Sequence, residues 1–337
     1  MSADALTGLR SFVDPPNEED DARDCHEKLM DRILVLSDYA WERRIDKSSV
    51  EEWLANFDGR SGQHVDVEQL HALYLLSQFL YFGVREIRVL LQALYRDLYW
   101  IPLIQEVRKK LGRTRDCRAI DAAATAELKK TRFLGVGNPS ESGVHLLYYF
   151  RQENNLTKKH FLDTAEIFEM NGATWSVRDR KVDRYIFLDD VCGSGDTAVD
   201  YSRNFLEELA RQRPKAQIAY HAIFATADGL KNVRENSVFG EHAKAVFELD
   251  ESYRSLSPKS RYFKLRPIPI DSALLTKVAL GYGRLLAPRN PGGFHNDQLL
   301  LGFSHNIPDN TLPIIWRDPT NGAPVPWTAA LRRYMKV

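Results

Sequence analysis

The chain of 337 residues carries no net charge, with 46 acidic and 46 basic residues. Apolar residues make up 44% of it and charged residues 27%, a balance typical of a globular chain with a buried core. Proteins that bind nucleic acid mainly through phosphate contacts usually carry a basic excess, so the net charge does not support a nucleic-acid partner. The length predicts one large domain with additions or two domains.

Three cysteines, Cys25, Cys117 and Cys192, share no close spacing, which argues against a zinc motif or a disulfide framework. This cysteine usage is typical of a reducing cytoplasm, where we expect the protein to act. The start of the chain is acidic and contains prolines, unlike a secretory signal. No apolar run is long enough to span a bilayer, so we expect no membrane partner.

The N-terminal part predicts a loose lead-in over residues 1–20 and a helical domain over residues 21–115. Apolar residues recur there at helical spacing. Ser48 with Glu51 is typical of a capping box, and Asp66 of a helix N-cap. The many aromatic residues of this domain favour packing between helices. A docking face for a protein partner or for a second copy is the alternative interpretation, so an oligomer stays open.

Two strand–loop–helix units follow, about 50 residues apart. The first has an apolar run at 132–136, a loop at 137–143 and a helix from Val144. The second has an apolar run at 185–188, which the acids Asp189 and Asp190 end, and then a Gly-rich loop before a helix. Alternating strands and helices predict a parallel sheet, whose carboxyl ends would place both loops at one crevice.

The second loop combines the features that a phosphorylated ligand needs. Backbone N–H groups in a Gly-rich turn, together with a helix N-terminus, attract an anion. Carboxylates just before such a turn hold a sugar diol or a hydrated metal. The sequence therefore predicts a site for a phosphorylated sugar after the strand that contains Asp189 and Asp190.

The strand, the two acids and the Gly/Thr loop, LDDVCGSGDT, resemble the phosphoribosyl-diphosphate motif of type I phosphoribosyltransferases. The resemblance implies a type I phosphoribosyltransferase-like parallel sheet flanked by helices over residues 116–290, with a C-terminal hood over residues 291–337. It implies that Asp189 and Asp190 bind the ribose hydroxyls, directly or through Mg²⁺, and serve the catalytic step. The residues that it assigns to the 5′-phosphate loop are Cys192, Gly193, Ser194, Gly195, Asp196 and Thr197.

In the same family the earlier loop cradles the pyrophosphate. The residues that this assigns as ligands are Gly137, Asn138, Ser140, Ser142 and Gly143. This loop contains no Lys or Arg, a departure from many family members, so charge compensation must come from Mg²⁺ or from another segment. Members of the family carry a mobile catalytic flap between the two loops. The resemblance therefore implies that basic residues of this segment, at 158–160 and 178–181, close over the pyrophosphate. For the loop at 137–143, the alternative is an ordinary turn between a strand and a helix.

Two other functions are compatible with these motifs. The second loop also resembles the first motif of Rossmann-like methyltransferases, in which case S-adenosylmethionine is the ligand. The first glycine of that pattern would fall on Val191, where the backbone needs a tight turn. A non-catalytic sensor that keeps the phosphate site is the other alternative, as the missing basic residue in the earlier loop suggests.

Taken together, HALYLLSQFLYFG, GNPSESG, YYFRQENN, LDDVCGSGDT and HNDQLLLGFSHNIPDNTLPIIWRD resemble phosphoribosyltransferase-like effectors of bacterial anti-phage conflict systems. The resemblance covers nearly the full length after residue 25. It implies a partner-regulated enzyme that acts on, or binds, phosphoribosyl diphosphate or a nucleotide with Mg²⁺. The sequence leaves the acceptor substrate open.

Overall fold

The computed structural model describes residues 21–137, 142–172 and 174–334, with residues 142–145 and 171 described for the backbone only. The helices are α1 (Ala22–Tyr39), α2 (Lys47–Leu54), α3 (Val65–Ser77), α4 (Val84–Ala93), α5 (Ile101–Lys110), α6 (Cys117–Lys129), α7 (Ser142–Glu153), α8 (Asp196–Tyr201), α9 (Glu207–Gln212), α10 (Ala227–Asn236), α11 (Ser272–Leu286) and α12 (Pro313–Trp316). The strands are β1 (Leu80–Phe82), β2 (Thr131–Gly135), β3 (Phe168–Asn171), β4 (Thr174–Val177), β5 (Arg184–Cys192), β6 (Gln217–Thr226), β7 (Ala243–Leu249) and β8 (Leu301–Phe303). Two π-helical stretches, Leu94–Trp100 and Ser202–Leu206, connect α4 to α5 and α8 to α9.

The described chain divides into two compact units. The central unit is Arg85–Leu249, and the terminal unit combines the chain up to Val84 with the chain from Asp250 onwards. These boundaries differ from the predicted ones after residues 115 and 290. The N-terminal helices share a core with the C-terminal segment, because β1 pairs with β8 in parallel and Leu80 lies opposite Leu301.

The central unit is built on a parallel sheet with strand order β2-β5-β6-β7. The predicted parallel α/β sheet flanked by helices is confirmed. Strands β5 and β6 are almost wholly buried, and apolar residues fill them, as expected for strands covered on both faces. A separate antiparallel hairpin, β3–β4, lies between β2 and β5 in the chain and places Met170 opposite Trp175.

Helices α4 and α5 belong to the central unit, although the sequence predicted a helical domain through residue 115. Side-chain contacts explain this placement. The Tyr99 hydroxyl donates a hydrogen bond to Thr131 Oγ1 at 2.9 Å, and Arg184 at the start of β5 forms an ion pair of 2.7 Å with Glu106. These contacts attach α5 and the π-helical stretch before it to the amino end of the sheet. Helix α4 is joined to the same unit by an ion pair of 2.6 Å between Arg88 and Glu153 of α7.

The terminal unit has its own core of aromatic and aliphatic side chains from both ends of the chain. Trp53 Nε1 donates to the Ile314 carbonyl at 2.8 Å, and the rings of Phe57 and Tyr282 lie 4.9 Å apart at their centroids. The side chain of Glu68 is fully buried, and it accepts hydrogen bonds from backbone amides at 59 and 61. Residues about 200 positions apart in the chain therefore stabilise each other.

The predicted helix caps in the terminal unit are wrong by two residues. Helix α2 is capped by Asp46, whose carboxylate accepts from Ser49 N at 2.8 Å, instead of by Ser48. Helix α3 begins at Val65, and His64 caps it instead of Asp66. In both places a side-chain acceptor earlier in the chain reaches the free amides of the first turn. No helix in the described part of the chain is long and apolar enough to cross a membrane.

Candidate functional site

The two predicted loops leave the sheet side by side. Strands β2 and β5 are parallel neighbours with Gly135 opposite Leu188, and Val136 N donates to the Leu188 carbonyl at 3.1 Å. Gly137 then turns the chain with φ of 95°, a conformation that favours glycine. The first loop therefore starts beside the strand that carries Asp189.

The structure covers the first loop in part. Asn138 and Ser140 lie outside the described residues. The backbone of Ser142 and Gly143 forms the first turn of α7, where amide groups lack partners within the helix. The anion-binding role of this loop therefore stays a prediction. The amides of the first turn of α7 are groups that such a role would use.

Asp189 and Asp190 do not end β5, as the sequence predicted, but lie inside it. Strand pairing continues through them, since Asp189 lies opposite Ala222 and Cys192 opposite Ala225. The sequence predicted a shorter strand because the two acids interrupt its apolar run. The acids therefore occupy rigid sheet positions instead of a loop, which fixes the positions of their carboxyl groups.

Hydrogen bonds hold the acidic pair in place. Asp189 is partly buried and Asp190 is 5% exposed. Tyr220 on β6 donates its hydroxyl to Asp189 Oδ2 at 2.8 Å, and the Asp190 amide donates to Asp189 Oδ1 at 3.0 Å. The Val191 amide donates to Asp190 Oδ1 at 2.8 Å. Each carboxylate is therefore oriented by at least one donor.

Burial of the Asp189 carboxyl group raises its pKa well above the ordinary value, and the neighbouring charge of Asp190 raises it further. The hydrogen bond from Tyr220 acts in the opposite direction. When two carboxyl groups lie this close, it is unfavourable for both to be ionised, so the pair tends to keep one proton. A cation that binds there would take the place of this proton and let both acids ionise.

The Gly-rich loop at residues 193–195 packs tightly against the start of α10. Gly195 has φ of 80°, and a Cβ atom there would lie 2.5 Å from the Gly229 carbonyl oxygen. A Cβ atom on Gly229 would lie 1.8 Å from the Gly193 carbonyl oxygen. The Thr226 hydroxyl donates to that same carbonyl at 2.6 Å. Glycine is therefore required on both sides of this contact.

Asn232 on α10 fixes the far side of the loop. Its amide donates to the Ser194 carbonyl at 2.9 Å and to Asp196 Oδ1 at 3.1 Å. Asp196 is the first residue of α8. Its carboxylate is thereby engaged by a donor at the helix N-terminus.

The remaining loop residues differ in exposure. The side chain of Thr197 is exposed. Ser194 is partly exposed, and its hydroxyl oxygen accepts a hydrogen bond from the Asp196 amide at 3.3 Å. Cys192 is 3% exposed and belongs to the core of the central unit. Its thiol packs in the core, while the backbone at Gly193 supports the loop.

The basic residues that were expected to close over a pyrophosphate lie elsewhere. Arg180 and Lys181 directly precede the amino end of β5, and the Arg180 carbonyl accepts from the Arg213 side chain. The carbonyl of Thr131, the first residue of β2, contacts the His160 ring. This is the edge opposite the two loops, because all four strands run the same way. That expectation is wrong for Arg180, Lys181 and His160.

The acidic pair fits one type of metal site. In the described part of the chain, no group of three or more His, Cys, Asp or Glu side chains is arranged to hold a metal. Mg²⁺ is commonly bound by one or two carboxylates, with water and substrate phosphate as its other ligands. Asp189 and Asp190 fit that type of site but not a closed structural metal centre.

Four residues of the site were missed from the sequence: Tyr220, Thr226, Gly229 and Asn232. They lie on β6 or on α10, which follows it, and they reach the acids or the loop from 30 to 40 positions away in the chain. The run at 217–224 predicts a strand, and Thr226, Gly229 and Asn232 follow it, where a parallel sheet gathers functional groups. Tyr220 lies within that run, so this signal does not apply to it.

The methyltransferase interpretation requires a tight turn at Val191. Val191 instead lies in β5, opposite Phe224 of β6. A residue in extended, paired backbone cannot supply the turn that the first glycine of the methyltransferase motif makes. The structure therefore does not favour this alternative.

Comparisons with known proteins point to one family. The PRTase-CE family model matches residues 50–333. A search of curated proteins found no match. A solved structure, Helicobacter pylori xanthine-guanine-hypoxanthine phosphoribosyltransferase, is 11% identical to this chain with a TM-score of 0.22; the match covers 49% of this chain and 88% of that one. A structural similarity this weak carries no assignment, whereas the family model spans most of the chain.

Proposed function

Because this chain belongs to the PRTase-CE family, we propose that it binds phosphoribosyl diphosphate or a nucleotide at the carboxyl edge of the central sheet. One observation carries the proposal: an oriented pair of acids, Asp189 and Asp190, leads directly into a Gly-rich loop and a helix start. The acids suit ribose hydroxyls or Mg²⁺, and the loop suits the 5′-phosphate.

Each part of the site has a role in this proposal. The amides at the start of α8, with the hydroxyls of Ser194 and Thr197, hold the 5′-phosphate. Asp189 and Asp190 hold the ribose diol, either directly or through Mg²⁺. The two loop segments, residues 137–143 and 189–197, contain no Lys or Arg. A divalent cation would supply the positive charge that a diphosphate requires at this site.

The proposed reaction is a displacement at C1′ of the ribose. The bond from C1′ to the leaving oxygen breaks through an oxocarbenium-like state, a bond to the acceptor forms, and the leaving group departs with its electron pair. The protein contributes position and charge instead of a covalent nucleophile. Bound Mg²⁺ would neutralise charge on the leaving diphosphate.

The biological role that we propose is that of an effector in bacterial anti-phage defence. It is supported by the resemblance of the chain, over most of its length, to effectors of conflict systems. A strain that expresses the protein with its genomic neighbours should resist phage in a plating assay, and the Asp189→Asn, Asp190→Asn double variant should not. Equal plating on both strains would contradict a role for this site in defence.

Calorimetric titration with phosphoribosyl diphosphate tests the proposed ligand. We expect Mg²⁺-dependent binding to the wild-type protein and at least a tenfold weaker affinity for the double variant, a difference of about 1.4 kcal/mol. Binding of S-adenosylmethionine in its place would contradict the proposal. Binding without any change in nucleotide pools of expressing cells would assign a sensor function instead of turnover.

A further inference from the structure

A cavity of about 370 Å³ lies in the terminal unit, between the end of α11 and α12. Its volume falls in the range typical of small-molecule sites, roughly 300 to 1,000 Å³. Two arginines, two aromatic rings, an asparagine and a proline are prominent in its lining: Arg289, Arg317, Phe294, Trp316, Asn290 and Pro288. Cations and flat apolar surfaces therefore line the same cavity.

The cavity carries positive charge that no carboxylate balances. Arg317 donates from Nη2 to the Gly322 carbonyl at 3.1 Å and lies over the Trp316 ring at 5.3 Å. Its Nε is buried and has no hydrogen-bond partner among the described residues. A buried donor without a partner is costly unless a water molecule or a ligand accepts from it. The part of the Arg317 guanidinium group that lines the cavity therefore contributes positive charge there.

The other charged groups of the cavity leave its positive character intact. Arg289 is exposed and forms no ion pair with any residue that the structure describes. The one carboxylate in the lining, Asp309, is already engaged by Arg333 at 3.1 Å. An anion that enters the cavity would meet two guanidinium groups, which bind phosphate and carboxylate oxygens in pairs.

Phe294 supplies a flat apolar surface at the same cavity. Its side chain is 38% exposed, although it is a large hydrophobic residue. Its amide donates to the Asp309 carbonyl at 2.7 Å. Gly293, which precedes it, has φ of 85°, and a Cβ atom there would lie 2.4 Å from the Asn310 carbonyl oxygen. The backbone around Phe294 is thus fixed by contacts on both sides.

The turn after Phe294 is strained. His295 and Asn296 adopt left-handed conformations, with φ of 51° and 58°. Such conformations persist where the surrounding structure holds them, and they are common at ligand sites. The next residue, Asp297, is buried and accepts from the Asn310 amide at 2.7 Å. The strain therefore presents Phe294 at the cavity in a preorganised form.

We propose that this cavity binds a small organic anion attached to a planar ring, the chemistry of a nucleoside monophosphate. The anionic group lies against the guanidinium groups of Arg289 and Arg317, which line the cavity. The ring stacks on Phe294. The site belongs wholly to the terminal unit and uses none of the residues assigned to the phosphoribosyl ligand in the central unit.

The Asp189→Asn, Asp190→Asn double variant of the full chain isolates this site. Calorimetry of that variant with adenosine 5′-monophosphate should give a dissociation constant below about 1 mM. Adenosine alone and inorganic phosphate alone should each bind at least tenfold more weakly, about 1.4 kcal/mol, because each lacks one half of the recognised chemistry.

Further substitutions in that background identify the residues. Arg289→Ala and Phe294→Ala should each weaken the binding tenfold or more. Arg284→Ala removes an exposed arginine of α11 that is not part of the cavity, and it should leave the affinity unchanged. Absence of binding to the double variant, or equal affinities with and without Arg289 and Phe294, would overturn the inference. Neither result would count against the proposed phosphoribosyl site in the central unit.

Discussion

The hydrogen bond from Tyr220 to Asp189 opposes the two larger effects, burial and the charge of Asp190, that raise the pKa of Asp189. It favours the ionised carboxyl group and so lowers the pKa of Asp189, against the effect of burial. In the Tyr220→Phe variant the pKa of Asp189 should rise further, so a larger fraction of the pair stays protonated at a given pH. Binding of Mg²⁺ with phosphoribosyl diphosphate should then weaken, and more at low pH than at high pH.

Calorimetry over a series of pH values measures this effect, because binding weakens wherever a larger fraction of the pair is protonated. Tyr185→Phe is the matched control, because Tyr185 is equally buried and lies on β5 without a contact to the acids. An identical pH dependence in the two variants would contradict the role assigned to Tyr220.

A second titrating group lies next to Tyr220 on β6. His221 is 4% exposed, and burial, with smaller effects of Lys244 and His242, lowers its pKa to about 3. In the unfolded chain a histidine titrates near 6.5. Between these two values the unfolded chain binds a proton that the folded chain does not. The free energy of unfolding should therefore fall as the pH drops through this window.

His221→Leu removes this contribution. The variant's free energy of unfolding, measured by urea denaturation, should depend less steeply on pH between about 6.5 and about 4, by up to one proton. Imidazole resonances of the folded wild-type protein should show that His221 stays neutral down to about pH 4. Protonation of His221 near pH 6 in the folded state would contradict this account.

At the scale of elements, α10 holds the phosphate loop. Removal of the Asn232 amide frees the Ser194 carbonyl and leaves Asp196 without this donor. The Asn232→Ala variant should bind phosphoribosyl diphosphate about tenfold more weakly, since one or two hydrogen bonds are lost. Lys231→Ala, at an exposed position of the same helix, should bind as the wild type does. Equal affinities in both variants would argue against a supporting role for α10.

Arg184 joins three elements at the opposite edge of the sheet. Its side chain is 9% exposed and forms ion pairs with Glu106 of α5 and Glu127 of α6. Arg184→Met would leave the two carboxylates only their second ion pairs, with Lys110 and Lys130. The loss of the charged hydrogen bonds of Arg184 should destabilise the central unit by on the order of 2 kcal/mol. Arg211→Ala removes an exposed pair with Glu208 and should cost less than about 1 kcal/mol. Thermal denaturation of the two variants compares them, and similar losses would contradict the buried network.

Local sequence patterns predicted the elements of the site but not their limits. The apolar runs placed β2 and β5 correctly as parts of one parallel sheet, because period and turn chemistry are local properties. The extension of β5 beyond Asp189 depends on pairing with β6, and the hydrogen bond from Tyr220 joins positions 31 residues apart. No local pattern contains such information.

The same reason explains the boundaries between units. Strand β1 has three residues and pairs with β8 more than 200 positions later, so no periodicity marks it. The predicted boundary after residue 115 followed helical spacing. That spacing does not distinguish α1–α3, which pack in the terminal unit, from α4 and α5, which belong to the central unit. The predicted hood role of residues 291–337 stays a prediction.

At the scale of the whole molecule, the central unit is inserted into the terminal unit between Val84 and Asp250. Residues 85–249 contain the complete sheet and a core of their own, so this segment should fold alone and unfold cooperatively on heating. Residues 1–84 alone should stay unfolded, because Trp53 and Phe57 pack on the C-terminal segment. Circular dichroism of each fragment during heating shows whether it is folded and whether it unfolds cooperatively. A folded N-terminal fragment would contradict the division.

A crystal structure of the protein grown with phosphoribosyl diphosphate and Mg²⁺ tests the central claim most directly. We predict the 5′-phosphate at the backbone amides that follow Gly195, and the ribose hydroxyls or the metal at Asp189 and Asp190. The diphosphate should lie toward Gly137 and the start of α7. Ligand density at another edge of the central sheet, with Asp189 and Asp190 uninvolved, would contradict the account.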